Sequence, residues 1–296
     1  FSGADRCGYL VMLKSTAGGG GIGMQKCDTK AELSEAFEQV ARLSQNSFGQ
    51  SGIFLEKFVV NARHIEIQIF GDGNGNVVSF GERDCSLQRR NQKVVEETPA
   101  VGINRNQVAE MEAHAVRLGE LVSYKSAGTV EYVYDADTNE YYFLEVNTRL
   151  QVEHGITEAV RNVDLVEWMV KVAYEAKLPL SVDQIQPAQG HAIEVRVYAE
   201  DPFKNFQPST GKLTGWVMPD NCRVDTWCDR GIEVSSFYDP MLAKIIVTGN
   251  TREEAVNNLQ TAMHTAKIDG FETNIAYLGA LSHSPEFKDG TQLYTQ

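Results

Sequence analysis

The sequence predicts an α+β protein, in which β-hairpins alternate with amphipathic helices and are followed by a second, β-rich part. Residues 64–70 alternate apolar and polar side chains with a period of two, which is typical of a strand. Two Thr-x-x-Glu tetrapeptides, at Thr29 and Thr251, have the spacing of helix capping boxes. A polar segment at 181–190 separates the two patterned parts and is the best candidate linker. The 296 residues, 42% of them hydrophobic, suffice for one large or two medium domains.

The first part of the chain predicts strands around one helix. Apolar residues at helical spacing follow the capping box at Thr29 and continue to Ser44. A turn-forming cluster at 72–76 contains two glycines between asparagines and an aspartate, and it predicts a hairpin. Strands are predicted at residues 9–14, 52–58, 64–70 and 77–82.

The rest of the chain predicts three helices, a second hairpin and a new sheet. The segment 136–140 is polar and lies between two apolar runs, so it predicts a hairpin turn. After the linker, Ile193, Val195 and Val197 alternate with polar residues as a strand would. Helices are predicted at residues 108–122, at 165–173 and from Thr251 onward, and further strands at 128–135 and 141–147.

Composition and charge exclude several classes of protein. There are 27 basic and 40 acidic residues, a net charge of −13, which argues against nucleic acid or an anionic membrane as a partner. No apolar stretch is long enough to cross a membrane, and no secretory leader is visible. Five cysteines without a C-x-x-C pair indicate neither a disulfide scaffold nor a zinc site. A cytoplasmic location is therefore expected.

A glycine run near the start of the chain indicates phosphate binding. Lys14 precedes the run at 18–21, so backbone N–H groups could surround phosphate oxygens while the lysine supplies a cation. The run is neither a Walker A loop nor a clean G-x-G-x-x-G, and a flexible surface turn is the alternative. The predicted strand before it and the capped helix after it favour a phosphate site.

The second predicted hairpin carries a candidate metal site. Glu131 falls opposite Glu145 if the turn centres near Thr138, and Asn147 shares a face with Glu145. Two facing carboxylates repel unless a cation lies between them, and carboxylate and amide oxygens suit Mg²⁺ or Mn²⁺. A solvent-facing acidic strand is the alternative interpretation, which the apolar neighbours of these residues disfavour.

If the strand continues beyond Asn147, Arg149, Gln151 and Glu153 project from that same face. An arginine beside a metal-bound phosphate can hold a small planar anion through two hydrogen bonds. Glu153 could then remove a proton from that anion or from an acceptor. Simple solvation of a polar strand face is the alternative.

Four cations, Arg83, Arg89, Arg90 and Lys93, cluster in an otherwise acidic protein. They indicate either an anion pocket or, as is commoner for such a run, a solvated charged loop.

Six ordered motifs resemble the biotin carboxylase component of biotin-dependent carboxylases, which are ATP-grasp enzymes. The resemblance runs from about residue 8 to the end of the chain. The motifs are K-S-T-A-G-G-G-G-I-G-M, F-L-E-K-F, R-H-I-E-I-Q-I-F-G-D, G-E-R-D-C-S-L-Q-R-R-N-Q-K-V-V-E-E-T-P, F-L-E-V-N-T-R-L-Q-V-E-H and G-H-A-I-E-V-R-V-Y-A-E-D-P.

The resemblance implies that ATP and bicarbonate give carboxyphosphate, which carboxylates N1 of carrier-bound biotin. Glu153 would be the general base, and Arg149 and Arg196 would stabilise carboxyphosphate and the biotin enolate. Glu131, Glu145 and Asn147 would hold Mg²⁺ or Mn²⁺. Bicarbonate would be bound by Lys93, Arg149, Gln151 and Val152. The implied nucleotide-binding residues are Lys14, Gly19, Gly20, Gly21, Met24, Glu56, Lys57, Val59, His64, Gln88 and Asn91.

The resemblance also implies a domain plan. An ATP-grasp lid would occupy residues 1–58, the ATP-grasp core 59–187 and a β-rich C-terminal domain 188–296. The Rossmann-like domain expected before residue 8 is missing from this chain, so the fragment alone is expected to turn over poorly. Asn91 stands where the family usually has histidine, which puts a ribose contact in doubt. Gly155 replaces a usual proline and would loosen the turn.

Within the family the motifs look most like urea carboxylase, as in fungal urea amidolyases, because Ile22 stands where acyl-CoA and pyruvate carboxylases usually place a basic residue. Those two carboxylases are the alternatives, together with a catalytically silent nucleotide-binding fragment or a biotin-independent ligase such as a carbamoyl-phosphate synthase. No A-M-K-M biotinylation motif occurs. The biotin carrier and carboxyltransferase are therefore expected elsewhere, on the same polypeptide, and a homodimer is a further expected partner.

Overall fold

The computed structural model describes residues 2–16, 23–49, 52–179, 184–291 and 293–295. The chain divides into two compact units, one formed by Phe1–Ala62 with Asp135–Asn139 and the other by Arg63–Tyr134 with Glu140–Gln296. No helix among the described residues is long and apolar enough to cross a membrane.

The first unit is a small sheet packed against one long helix. Its strand order is β2-β1-β3, and β1 pairs antiparallel with both neighbours. Val11, Leu13 and Cys27 of the sheet pack against Leu33 and Val40 of α2. The elements are α1 Ser2–Cys7, β1 Val11–Ser15, β2 Met24–Cys27, α2 Lys30–Phe48 and β3 Ile53–Lys57.

The predicted capping box of α2 is confirmed. The Thr29 side chain accepts a hydrogen bond from the backbone N–H of Glu32, and the Glu32 carboxylate accepts one from the N–H of Asp28. The helix ends at Gly49, whose φ of 67° is a left-handed conformation that glycine adopts without steric cost. The sequence therefore predicted where this helix begins.

The second unit is built on an eight-stranded sheet. The strand order is β14-β16-β9-β6-β5-β4-β7-β8. Its larger strands are β4 Ala62–Asp72, β5 Val77–Arg89, β6 Gln92–Thr98, β7 Lys125–Asp135, β8 Glu140–Asn147, β9 His191–Tyr198, β14 Arg223–Thr226 and β16 Met241–Gly249. Shorter strands are β10 Glu200–Asp201, β11 Gln207–Pro208, β12 Gly211–Lys212, β13 Gly215–Val217, β15 Glu233–Val234 and β17 Lys267–Asp269.

Helices cover the sheet and bury its apolar side chains. Val108, Met111 and Ala115 of α3 pack against Ile67 and Ile69 of β4. Trp168 of α5 meets the edges of Phe70 and Phe80 with ring centroids 5.5 and 5.1 Å apart. The helices are α3 Arg105–Leu121, α4 His154–Arg161, α5 Leu165–Glu175, α6 Arg252–Thr265, α7 Ile275–His283 and α8 Pro285–Asp289.

The eight-stranded sheet contains strands from both sides of the predicted linker. Strand β9 follows the linker and pairs antiparallel with β6, with Val95 opposite Val195. Strand β16 pairs with the other edge of β9. Every residue of β9 is buried, so its charged residues Glu194 and Arg196 lie inside the protein. The sheet of the second unit therefore contains buried charges.

The predicted strand extension beyond Asn147 is wrong. Strand β8 ends at Asn147, the chain turns through residues 148–153, and α4 begins at His154. Gly155 lies in the first turn of α4, and a Cβ there would come within 2.4 Å of the Ile246 side chain. The glycine therefore permits close packing of helix on sheet and does not loosen a turn.

Candidate active site

Charged side chains of β4, β6 and β9 meet the turn before α4 inside the second unit. Lys93 of β6 lies at their centre. Its ammonium is 2.6 Å from Glu66 Oε2, 3.0 Å from Glu131 Oε1 and 2.6 Å from Glu153 Oε1. Burial alone would lower the pKa of Lys93, but the carboxylates around it, Glu66 above all, raise that pKa above its usual range. Lys93 is therefore a fixed positive charge.

Glu153 is held at both of its carboxylate oxygens by cations. Lys93 contacts Oε1, and Arg196 Nη2 contacts Oε2 at 3.0 Å. The residue is the N-cap of α4 and is 2% exposed. Two opposed cations fix the carboxylate in one orientation inside the protein, which is the arrangement that a positioned proton acceptor requires.

Arg196 is anchored from three sides. Its Nε donates to Glu96 Oε1 at 2.7 Å, while Nη2 reaches Glu153. The Asn274 side chain accepts from the N–H of Tyr198 at 2.8 Å and donates to the carbonyl of Arg196 at 2.9 Å. Side chain and backbone of the arginine are thus both held.

A buried arginine supports the base of this network. Arg83 is fully buried, and its Nε donates to Glu66 Oε1 at 2.5 Å. Its Nη1 donates to Gln68 Oε1 at 2.7 Å and to the hydroxyl of Thr157 at 3.0 Å. Glu66 is fully buried, which alone would raise its pKa. Arg83 and Lys93 nevertheless hold that pKa well below its usual range.

Glu131 accepts hydrogen bonds from two side chains and lies beside a third, the imidazole of His64. Lys93 and Gln151 donate to Oε1, both at 3.0 Å, and the imidazole Nε2 of His64 lies 3.3 Å from Oε2. Burial would raise the pKa of Glu131, but the nearby imidazole of His64 helps to lower that pKa to about 2. Burial would likewise lower the pKa of His64, but the carboxylates of Glu131 and Glu66, 3.3 and 3.7 Å from its Nε2, raise it to about 9. The pair is ionised at neutral pH.

The other two candidate metal ligands lie on the edge strand β8. Glu145 is exposed and Asn147 half-buried, with Asn147 Nδ2 3.4 Å from Glu145 Oε1. Carboxylate and amide oxygens are a fitting donor set for a hard divalent cation. Arg149 is exposed in the turn after β8, and its Nη1 lies 3.4 Å from the carbonyl of Leu150.

Two groups of ligand-type side chains in the described residues already surround an ammonium. They are His64 with Glu66 and Glu131, and Glu66 with Cys85 and Glu153. Lys93 is hydrogen-bonded to all three of these glutamates, so it supplies the positive charge that a metal would bring. Neither group is a metal-site candidate on this geometry.

Three of the four cations predicted to cluster at 82–93 are paired with carboxylates, and the fourth, Arg90, is exposed. The segment forms the β5–β6 hairpin, and Arg89 pairs with Glu200 at 2.5 Å while Arg83 and Lys93 pair as described. Arg90 and Asn91 form the turn with φ of 52° and 61°. Asn91 is exposed there, and asparagine tolerates that left-handed conformation. Gln88 is half-buried and donates to the carbonyl of Cys85 at 3.0 Å.

The remaining nucleotide-binding candidates belong to the first unit. Lys14 forms an ion pair with Glu56, with Nζ 2.5 Å from Oε2. Met24 and Val59 are half-buried and Lys57 is exposed. Gly19, Gly20 and Gly21 lie outside the described residues.

Several residues of the site carry no motif that sequence reasoning identified as chemical. Glu66, Glu96, Glu194 and Lys244 are all buried in the sheet around Glu153. For Glu66 and Glu194 the one signal in the sequence is a charged residue that alternates with Ile or Val on a strand, as in I-E-V-R-V, and Glu96 and Lys244 lack this pattern. Such a pattern also describes an exposed strand face, so it could not by itself assign a role.

The buried pair Glu96 and Glu194 should make stability depend on pH. The two residues are opposite one another on β6 and β9, and burial raises the pKa of Glu96 to about 7 and that of Glu194 well above its usual range. As pH rises, the unfolded chain loses these protons before the folded protein does. The contribution of protonated Glu96 to the free energy of unfolding is therefore fully present below about pH 4.5 and is lost as pH rises through 7. The expected loss is up to about 3 kcal/mol, at 1.36 kcal/mol per pKa unit.

Urea unfolding at pH 5 and 7.5 measures this effect, followed through the three tryptophans at positions 168, 216 and 227, all in the second unit. The stability of Glu96→Gln relative to the wild-type protein should rise between the two pH values. Glu97→Gln on the same strand is the control, because contacts to His191 and Arg252 offset burial and lower the pKa of Glu97. A Glu96→Gln difference that is equal at both pH values would refute the assignment.

Two family models match consecutive parts of the chain. The carbamoyl-phosphate synthase L chain, ATP binding domain, matches residues 1–181, and the biotin carboxylase C-terminal domain matches residues 194–296. The second match distinguishes biotin carboxylases from other users of the same ATP-binding fold. The chain belongs to the biotin carboxylase family. The predicted ATP-grasp fold with its β-rich C-terminal domain is confirmed.

Relatives of this biotin carboxylase chain include larger carboxylases. It is 50% identical over 285 residues to a urea amidolyase of Lachancea kluyveri, covering 96% of this chain and 16% of the relative. It is 45% identical to the mitochondrial methylcrotonoyl-CoA carboxylase subunit alpha of Mus musculus, covering 97% and 40%. The chain thus spans less than half of either relative.

The backbone fold of this chain is similar to that of a solved structure. That structure is the biotin carboxylase domain dimer of the Hydrogenobacter thermophilus 2-oxoglutarate carboxylase in complex with MgADP, ADP and bicarbonate. Its TM-score is 0.92 at 38% identity, and the match covers 98% of this chain and 64% of that one. At this identity the likeness extends to sequence as well as fold.

Proposed function

We propose that this chain carries out the ATP-dependent carboxylation of carrier-bound biotin with bicarbonate, through carboxyphosphate. The observation that carries the proposal is Glu153, a buried carboxylate fixed between Lys93 at 2.6 Å and Arg196 at 3.0 Å. A base held between two cations suits the deprotonation of an anion that binds beside it, because the cations offset the charge of that anion.

The residues around Glu153 divide the work of the first step. Lys93, Arg149, Gln151 and Val152 bind bicarbonate, and Glu153 takes its proton. The deprotonated oxygen of bicarbonate attacks the γ-phosphorus of ATP. The bond between that phosphorus and the oxygen that joins it to the β-phosphate breaks, and ADP leaves. The products of this step are carboxyphosphate, ADP and a protonated Glu153.

Arg196 serves the second step. Carboxyphosphate breaks down to carbon dioxide and phosphate, the phosphate takes the proton from N1 of biotin, and N1 then bonds to the carbon dioxide to give carboxybiotin. The guanidinium of Arg196 holds the negative charge that develops at the ureido oxygen of biotin when N1 loses its proton. Magnesium or manganese, held by Glu131, Glu145 and Asn147, would neutralise charge on the nucleotide phosphates. In the first unit, Lys14, Glu56, Lys57 and Val59 serve the nucleotide.

We further propose that the chain is part of a longer polypeptide, a urea carboxylase, which converts urea to allophanate. In that enzyme the chain would catalyse the first half-reaction, the carboxylation of biotin. Support comes from the 50% identity with urea amidolyase, against 45% with the methylcrotonoyl-CoA carboxylase subunit. The second value favours an acyl-CoA carboxylase as the alternative. The biotin carrier, the carboxyltransferase and a second copy of the chain are the proposed partners, and residues 1–58, 59–187 and 188–296 are the proposed domains.

The acceptor is tested by ADP release from the full-length polypeptide with MgATP and bicarbonate. Urea alone should stimulate release, and avidin should abolish the stimulation by blocking biotin. Stimulation by acetyl-CoA, methylcrotonoyl-CoA or pyruvate in place of urea would retain the biotin carboxylase and discard the urea assignment. Release that avidin does not affect would contradict the proposed use of biotin.

A further inference from the structure

Lys244 is a buried lysine beside the site that no step above uses. It lies on β16 directly opposite Arg196 of β9, so the two side chains share one face of the sheet. The residue is 7% exposed. Burying an ammonium costs free energy unless nearby groups satisfy its donors, so its contacts indicate what it does.

The ammonium of Lys244 is directed at the backbone of the turn before α4. Its Nζ donates to the carbonyl of Val152 at 2.6 Å. Asp225 Oδ2 is 3.3 Å away and Glu194 Oε2 3.9 Å. Both carboxylate oxygens of Glu194 lack a hydrogen-bond partner among the described residues. The lysine therefore bonds a neutral carbonyl while a buried carboxyl beside it is left without a hydrogen bond.

This contact fixes the peptide group that leads into Glu153. The carbonyl of Val152 and the N–H of Glu153 belong to one rigid plane, so holding the oxygen sets the plane. A bond from a charged donor is stronger than one between neutral groups. Lys93 and Arg196 hold the carboxylate of Glu153, and Lys244 holds its backbone.

We propose that Lys244 is a positioning residue that sets the turn of Gln151, Val152 and Glu153 for bicarbonate. The proposal rests on the proposed function, which assigns bicarbonate to that turn. Lys244 does not touch the reacting atoms and acts through the backbone. Its loss should therefore affect bicarbonate more than MgATP.

The test compares Lys244→Met with the wild-type enzyme in the full-length polypeptide, by bicarbonate-dependent ADP release. We expect the KM for bicarbonate to rise about tenfold and kcat/KM for bicarbonate to fall about 100-fold, the scale of a misplaced binding group. The KM for MgATP should stay within about twofold. Lys244→Arg should recover part of the loss, because it keeps a charged donor. Lys267→Met, the same change at an exposed lysine of the second unit, is the matched control.

Lys244→Met also removes the cation nearest to the buried carboxyl of Glu194, while Asp225 keeps its pair with Arg223 at 2.8 Å, so a loss of folding must be separated from a loss of positioning. The double variant Lys244→Met with Glu194→Gln also removes the carboxyl that the single variant leaves beside the methionine. It should melt closer to the wild-type temperature and still show the raised KM for bicarbonate. Restoration of both stability and bicarbonate KM would overturn the proposal, as would an unchanged KM in folded Lys244→Met.

Hydrogen exchange provides a readout that does not depend on activity. Peptides covering residues 148–156 should exchange faster in Lys244→Met than in Lys267→Met, because the turn has lost its anchor. Equal exchange in the two variants would overturn the proposal. Wild-type enzyme that releases no ADP in response to bicarbonate would refute the proposed function, and the exchange result would still decide whether Lys244 holds the turn.

Discussion

Replacing Glu153 by glutamine is expected to lower biotin carboxylation about 10³-fold, within the range that a general base contributes, and to leave MgATP binding nearly unchanged. Glutamine keeps the shape of the side chain but cannot take a proton from bicarbonate. Its carbonyl can still accept from Lys93, while its amide would face the guanidinium of Arg196, 3.0 Å from the present oxygen. The measurements are ADP release and equilibrium binding of MgATP.

The control for this variant is Glu82→Gln, another buried glutamate of the second unit that pairs with an arginine. Glu82 accepts from Arg105 and from the N–H of Ala100, away from Lys93 and Arg196. The Glu82→Gln variant removes a buried charge but keeps the general base, so its carboxylation rate should stay near the wild-type value. Equal carboxylation by Glu153→Gln and wild type would remove the general-base assignment.

Replacing Arg83 by methionine is expected to destabilise the second unit by about 3–5 kcal/mol, the usual cost of breaking a buried ion pair from one side. Arg83 is fully buried and satisfies Glu66, Gln68 and Thr157 at distances of 2.5–3.0 Å. Methionine fills much of the volume but leaves the acceptors that faced the guanidinium unpaired. Lys93 and the imidazole of His64 are then the nearby cations that offset the charge of Glu66. Urea unfolding followed by tryptophan fluorescence measures the loss.

Arg105→Met is the matched control for Arg83→Met, because Arg105 also pairs with a buried glutamate but its side chain is 57% exposed. Exposed pairs contribute about 0–1 kcal/mol, so this variant should lose much less stability. Losses of similar size in the two variants would contradict the claim that the Arg83 network supports the site. Arg83→Met with unchanged stability would do so as well.

The fold could be predicted where local signals agreed with the final structure. Thr29 and Thr251 accept the hydrogen bonds that their capping boxes predicted, and the hairpin turn at residues 72–76 forms around Asp72. Helix α4 was missed because its N-cap, Glu153, makes no side-chain capping bond. Without that signal, the polar alternation from Glu145 to Glu153 resembled a continuing strand.

The site could be predicted less completely than the fold, because its contacts join distant parts of the chain. Motifs identified Lys93, Glu153 and Arg196, yet no spacing in the sequence places them together. Glu96 and Arg196 are 100 residues apart, and Lys244 and Val152 are 92 apart. Only the pairing of β6, β9 and β16 brings these residues under the turn before α4.

The most direct test of the central claim is transfer of labelled bicarbonate carbon to biotin by the full-length polypeptide, before any acceptor is added. Wild-type enzyme should label the biotin carrier only when MgATP is present, and Glu153→Gln should label it about 10³-fold more slowly. Labelling without MgATP, or ADP release with no label on biotin, would contradict the account.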